Sequence, residues 1–237
     1  MTFELSSELL AARDRARTFA ATDIEPQAAA IDQSGTVPDA LARAAAAVIV
    51  SSDPLSLAVT AEELGAASGA VALSAAVPSA SGTGLGLAGL RGATAIDDSP
   101  RARLVLAAVT LGIGRAALDR ALTLLKDATA TRGSHSDAPH WVVADVATEL
   151  DGARLLIYRA AQAGDRDRAE SDIALARLMA SGAASRAVDA ALRIGGAAGY
   201  EPNSLLERLA RDIRAIAVVL GTEERQRAQA AEGLLPL

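Results

Sequence analysis

Cysteine is absent from the 237 residues, which excludes disulfides, thiolate metal sites and a thiol nucleophile. Aromatic residues make up only 2% of the chain, so a large pocket walled by rings is excluded as well. Clusters of basic charge are also missing. Lys and Arg total 23 against 29 Asp and Glu, the two signs are interspersed, and the net charge is −6. That pattern keeps a chain in solution and lacks the one-sided basic face that nucleic acid requires, so no DNA or RNA partner is expected. No run approaches the roughly 18 uninterrupted apolar residues that span a bilayer, and no membrane association is expected. Residues 1–10 carry acids, without a basic start or a long apolar stretch, so no secretory leader is expected and the cytoplasm is the expected compartment. Alternating polar and apolar patterns of strand length are absent too.

What remains is apolar content of one kind. Hydrophobic residues form 51% of the chain, supplied almost entirely by Ala, Leu, Val and Ile, a composition suited to close helix–helix packing and sufficient for a sizeable core. The expected fold is all-α. A first helix starts at Ser6 or Ser7, whose hydroxyl can accept from the open amides of the first turn, and runs through Phe19. Pro26 marks a bend, and Gly35 and Pro38 punctuate a loop. Residues 40–50 read as a short, nearly uncharged helix expected to be buried. Asp53-Pro54 then caps a third helix continuing towards Leu73. These segments form an N-terminal helical layer, 1–80.

Between 81 and 100 the texture changes. Gly82, Gly84, Gly86, Gly89 and Gly92 interrupt every periodicity, and Asp97, Asp98 and Pro100 close the stretch. The spacing of Gly84, Gly86 and Gly89 matches a dinucleotide loop, but no strand precedes it and no βαβ unit surrounds it, so it reads as a linker. From 101 to 237 the helical period returns. Leu104, Ala107, Leu111, Leu118, Leu122 and Leu125 define one helix over 104–128. Val143, Val146, Leu150, Ala153, Ile157 and Ala160 define a second over 141–163. Ser171 and Asp172 are placed as the cap of a third, which ends at Gly195-Gly196. A fourth covers 205–219, and Gly221-Thr222 opens the last. Short turns between such helices make an up-down bundle the economical architecture.

These residues resemble a known family. Residues 144–161, ADVATELDGARLLIYRAA, are similar to the second bundle helix of the acyl-CoA dehydrogenases. Ile194-Gly-Gly-Ala-Ala-Gly-Tyr200 resembles that family's glycine-rich turn, Glu207-Arg-Leu-Ala-Arg-Asp212 its arginine–aspartate helix, and Gly221-Thr-Glu-Glu-Arg-Gln-Arg227 its final flavin-side motif. In the first helices, Ala16-Arg-Thr-Phe-Ala20, Ile24-Glu-Pro26, Asp32, Gly35, Pro38 and Ala61-Glu-Glu-Leu64 fall where the family places similar residues. The resemblance implies FAD as cofactor, an acyl-CoA ligand, and Gly196, Thr222 and Glu224 at flavin-contacting positions, with Arg103 near the acyl-CoA.

Two departures set this chain apart. The family inserts a middle β-domain of about 100 residues between its helical parts; here only Gly86-Leu-Ala-Gly-Leu-Arg-Gly-Ala-Thr94 and Asp97-Asp98 stand in its place. The family's general base is a glutamate just before the final glycine–threonine pair, or, in some members, a residue immediately before the first bundle arginine. Leu220 and Ala102 occupy those positions. Abstraction of an α-proton needs a carboxylate, and such a base contributes typically about 10²–10⁴-fold. No catalytic residue is therefore assigned. FAD remains the cofactor that the resemblance implies, with its loss or its sharing with a partner subunit as the alternatives. The expected function is a degenerate or non-catalytic subunit of a heteromeric FAD-dependent acyl-CoA dehydrogenase; the alternatives are a non-redox enzyme or a ligand-binding homo-oligomer reusing the bundle. Either way an oligomer is expected, because apolar faces this extensive exceed what one chain covers.

Single residues admit two readings each. The Thr222 hydroxyl either binds a phosphate at a helix start or caps that helix. Arg103 either pairs with a CoA group or is solvated. His135 and His140 sit among polar residues and read as surface groups. The charged run 165–172 reads as a solvated turn, and Tyr158 and Tyr200 as packing residues with wet hydroxyls.

Overall fold

The structure is a computed structural model that describes residues 4–49, 51–76, 98–132, 137–163, 166–219 and 221–235. Within them every regular element is helical, and no strand is present. The linker readings over 81–97, together with Leu220 and His135, lie outside the described residues.

Helix α1 (Ser7–Phe19) begins where expected, with the Ser6 hydroxyl accepting from the Leu9 amide. It runs into a π-helical turn, Ala20–Ile24, and then α2 (Glu25–Ser34). Pro26 explains the turn. It has no N–H to return to the carbonyl four residues back, and its ring crowds that carbonyl, so the helix widens by one residue instead of breaking. Gly35 ends α2 at φ 66°, a left-handed backbone that its missing Cβ permits, and its amide reaches the Ile31 carbonyl.

Helix α3 (Asp39–Val48) differs from expectation. Leu41, Ala45 and Ile49 are buried, but Arg43, Ala44 and Ala47 face solvent, so α3 is a surface helix presenting one stripe. The most enclosed pair is α4 (Pro54–Ala67) and α5 (Gly69–Ala76), whose residues are buried nearly all round, Glu62 and Glu63 among them. Asp53 caps α4 by accepting from the Leu55 and Ser56 amides. The single helix expected here is broken at Ser68, which is extended at φ −160° and ψ 116° and whose hydroxyl accepts from the Val71 amide to start α5.

The bundle consists of α6 (Pro100–Arg132), α7 (Asp137–Gln162), α8 (Arg166–Gly195), a 3₁₀ turn (Gly196–Tyr200), α9 (Leu205–Ile216) and α10 (Glu223–Leu234). Helix α8 lies at its centre, packed on α6, α7, α9 and α10. Its buried face is alanine: Ala176, Ala180, Ala183, Ala184, Ala187 and Ala191. Helix α8 also starts earlier than the Ser171-Asp172 cap suggested. Ser171 is buried inside it and donates to the Ala230 carbonyl on α10. Asp172 pairs with Arg159 across to α7, so the described part of the charged run is helix that ties neighbours together.

The N-terminal layer and the bundle share one hydrophobic core, and α4 crosses α6 at backbone contact. A Cβ on Gly112 would stand 2.2 Å from the Glu62 carbonyl oxygen, and one on Gly65 would stand 2.8 Å from the Val109 Cα. Real atoms do not approach so closely, so both glycines are required by space. This crossing brings the Glu62 and Glu63 end of α4 against α6.

Candidate functional site

Charged side chains gather at several places among the described residues, and two of these clusters involve the predicted site residues or the α4–α6 crossing. The first gathers around Asp98, just before α6. One carboxylate oxygen lies 3.0 Å from Arg103 Nε and the other 2.8 Å from an Arg225 nitrogen on α10, while Arg103 also donates to the Asp98 carbonyl at 3.2 Å. On its other side Arg103 pairs with Glu170 of α8. Arg103 is buried, contrary to the reading of a solvated arginine, and both faces of its guanidinium are committed to protein carboxylates.

Arg177 is buried beside this network and donates to the Val219 carbonyl at 2.8 Å, fixing the turn that precedes Gly221. Burial first, and then the charge of Arg103, lower its pKa to about 10. Gly221, at φ 105°, reverses the chain where a side chain would be strained. Thr222 then caps α10: its oxygen accepts from the Arg225 amide at 3.5 Å, and its hydroxyl donates to Glu224, which holds that exposed carboxylate below the usual range. Among the predicted site residues, Arg103, Thr222 and Glu224 are thus linked through Asp98 and Arg225.

Gly196 is not part of that group. It follows the far end of α8, 26 residues beyond Glu170, or about 39 Å along the helix at its usual rise. It is exposed at φ 58° with open space around it. Gly196 therefore lies towards the opposite end of α8 from Arg103, and the Val219 turn that leads into Thr222 is held to α8 at Arg177, 19 residues before Gly196. Ala102 is buried and apolar next to Arg103. His140 is exposed, as is Tyr200.

The second centre was not anticipated. Glu62 and Glu63 of α4 are each about 4% exposed, facing Arg17 of α1, Arg115 of α6 and Arg154 of α7. Glu63 accepts four hydrogen bonds: from Arg17 at 3.2 and 3.0 Å and from Arg115 at 2.9 and 2.7 Å. Glu62 is bound by Arg154 at 2.9 Å and approached by Arg115 at 3.6 Å. Burial alone would raise the Glu63 pKa, but the two guanidiniums outweigh it and hold it below the carboxylate norm. Tyr158, one helical turn beyond Arg154, is pushed up to about 12, mainly by burial and then by Glu62. The signal was available in the sequence: two adjacent glutamates amid Leu57, Val59, Ala61 and Leu64 have no solvent face to turn to, so each needs a cation.

Cavities flank this centre on either side. One, of about 610 Å³, is bounded by Glu62, Arg154, Tyr158, Arg13 and Leu10; the other, of about 790 Å³, by Glu25, Asp119, Arg120 and Arg208. Both include Arg17, Glu63 and Arg115 in their walls.

Comparison with known proteins agrees with the all-helical fold and with the motifs on α7 to α10. Residues 93–235 match the family model for the acyl-CoA dehydrogenase C-terminal domain. The chain belongs to the acyl-CoA dehydrogenase family. It is 34% identical over 145 residues to a 3-(aryl)acrylate reductase of Clostridium sporogenes, covering 60% of this chain and 38% of that one. It is 32% identical over 127 residues to a caffeyl-CoA reductase-Etf complex subunit of Acetobacterium woodii, covering 52% and 34%. The chain therefore spans little more than a third of the length of these curated relatives. Butyryl-CoA dehydrogenase from Megasphaera elsdenii has the same fold at a TM-score of 0.81 and 16% identity, over 99% of this chain and 100% of that one.

Proposed function

We propose that this chain is a non-catalytic helical subunit of a heteromeric FAD-dependent acyl-CoA dehydrogenase, with the general base and the domain that covers the flavin contributed by a partner chain. The supporting observation is the commitment of Arg103. The residue that the resemblance sets beside acyl-CoA is held by Asp98 and Glu170, and its neighbour at one of the two base positions is the buried Ala102. Leu220 at the other base position cannot accept a proton.

A heteromeric assembly accounts for the split arrangement. Gly196 lies towards the opposite end of α8 from Arg103, and in this reading the two ends meet different subunits at their boundaries. One relative is by name a subunit of a complex, in keeping with this arrangement.

The test is co-expression with the full-length acyl-CoA dehydrogenases encoded in the same genome. The expected result is a stable stoichiometric complex that dehydrogenates acyl-CoA with an artificial electron acceptor, while the chain alone, saturated with FAD, does not. The isolated Leu220→Glu variant is expected to stay inactive, because the covering domain is still missing. Robust turnover by the wild-type chain alone, or failure of every such partner to co-purify, would overturn the proposal.

A further inference from the structure

The larger cavity beside Glu63 carries a different inference, one that holds for the isolated chain and is independent of any partner subunit. Its volume of about 790 Å³ lies within the range that encloses small organic ligands. Helices α1, α2, α4, α6 and α9 and the π turn all contribute to its walls, so this open cleft is a product of the tertiary fold and not of one loop.

The charges in its wall are not balanced locally. At the back, Glu63 is saturated by Arg17 and Arg115, two guanidiniums against one carboxylate. The exposed Arg120 of α6 and the half-buried Arg208 of α9 also line it, and neither side chain makes a hydrogen bond or a contact ion pair among the described residues. Asp212 lies within electrostatic reach of Arg208, and burial pushes its pKa up to about 7, so near neutrality it offers that arginine only part of a counter-charge. Glu25 and Asp119 are exposed residues of the wall and bring the total to a surplus of a single positive charge. That surplus suits a small anion carrying one or two charges, and the two carboxylates repel polyanions. The remaining wall is mostly alanine, with Ala20, Ala67 and Ala116 offering methyl groups and room for an apolar body.

We propose that this cavity binds a small organic oxyanion, a carboxylate or phosphate monoester, with its head on Arg208 and Arg120 and its apolar part against the alanine wall. Guanidinium is the group suited to such a head, since its planar fork matches two oxygens at once.

Calorimetric titration of the whole chain with benzoate, phenyl phosphate, inorganic phosphate and the neutral isostere benzamide tests this. Saturable binding of benzoate or phenyl phosphate is expected, with benzamide silent and inorganic phosphate weaker than its phenyl ester. Which head binds more tightly tells the carboxylate source from the phosphate one. Arg208→Gln and Arg120→Gln should each weaken binding by about tenfold, the size of one charge-assisted hydrogen bond. Neither side chain makes a hydrogen bond or a contact ion pair among the described residues, so these variants should keep wild-type helicity by circular dichroism. Arg13→Gln, in the wall of the smaller cavity only, should leave affinity unchanged. No saturation by about 10 mM, equal binding of benzamide, or indifference to both arginine substitutions would each refute the proposal.

Discussion

Asp212 is the residue whose burial has the clearest thermodynamic signature. It is enclosed on α9, and desolvation, followed by the charge of Asp32, raises its pKa from 3.8 to about 7 against the opposing pull of Arg208 and Arg211. A carboxyl whose folded pKa is raised keeps its proton in the native state while the unfolded chain loses it. Stability therefore falls as pH rises from about 4 to about 7 and is level above that. Glu63 acts in the opposite sense: its folded pKa lies below 4.5, so its contribution is present above that value and is lost as pH falls through the folded pKa. The thermal midpoint should thus peak on the acidic side of neutrality. Asp212→Asn should raise the midpoint at pH 8, with a ceiling of about 4 kcal/mol, and change it little at pH 4; an equal effect at both would contradict the assignment. Glu63→Gln should cost about 3 kcal/mol in urea unfolding, towards the lower end for a broken buried pair because Arg17 is half open to water. Residues of this kind were only partly legible in the sequence. Two glutamates in an apolar helix announce burial, but their partners Arg17, Arg115 and Arg154 lie 46 to 92 positions away, beyond any local pattern. Arg103 stands out in the sequence only through the family resemblance, and its capture by Asp98 and Glu170 depends on how α6 and α8 meet.

At the scale of helices, period and capping carried most of the information. Ser6, Asp53, Ser204 and Thr222 each cap a helix by accepting from an amide two or three residues on. Boundaries failed where a tertiary contact outweighed local preference. Ser171 looked like a cap because serine favours that position, yet it is consumed by the Ala230 carbonyl while α8 begins at Arg166, more than one turn earlier. The enclosed element was expected at 40–50, which is nearly uncharged, and was instead the helix carrying two glutamates. Charge composition misleads when acids are neutralised internally. Glycines within helices separate by what surrounds them. Gly112→Ala gains about 1 kcal/mol of helix propensity but drives a methyl into the α4 backbone, so a net loss of about 2 kcal/mol or more is expected. Gly182→Ala meets only the tip of Arg186 at 3.4 Å, and Gly152→Ala the end of Met179 at 3.5 Å. Those two should stabilise by about 0.5–1 kcal/mol. Urea midpoints of the three variants check the contrast, and a stabilised Gly112→Ala would show that the crossing has slack.

At the scale of the whole molecule, apolar surface is left uncovered along α6 and α7. Leu118, Leu122, Leu125 and Val143 line a groove of about 640 Å³ between them, and Trp141 is 68% exposed. An oligomer at micromolar concentration is expected, and the single tryptophan reports it if that face is used. Light scattering should give a mass above one chain, and Trp141 emission should shift to longer wavelength on dilution; a monomer at all concentrations would contradict both. All-helical architecture was legible in composition and period, because alanine-rich amphipathic stretches have few other ways to bury themselves. Which helices touch was not, since it rests on small residues at crossings. The close approach of Gly65 to Val109 and of Gly112 to Glu62 has a consequence for cooperativity. With no side chains between them, the two helices cannot part by a little: a separation wide enough to admit water would also sever Glu62 and Glu63 from Arg115 and Arg154. The helices of residues 4–76 and the bundle of residues 98–235 should therefore melt together, giving coincident transitions by near-ultraviolet and far-ultraviolet circular dichroism. Amides in the middle of α4 should exchange with solvent only through global unfolding, as slowly as those at the centre of α8.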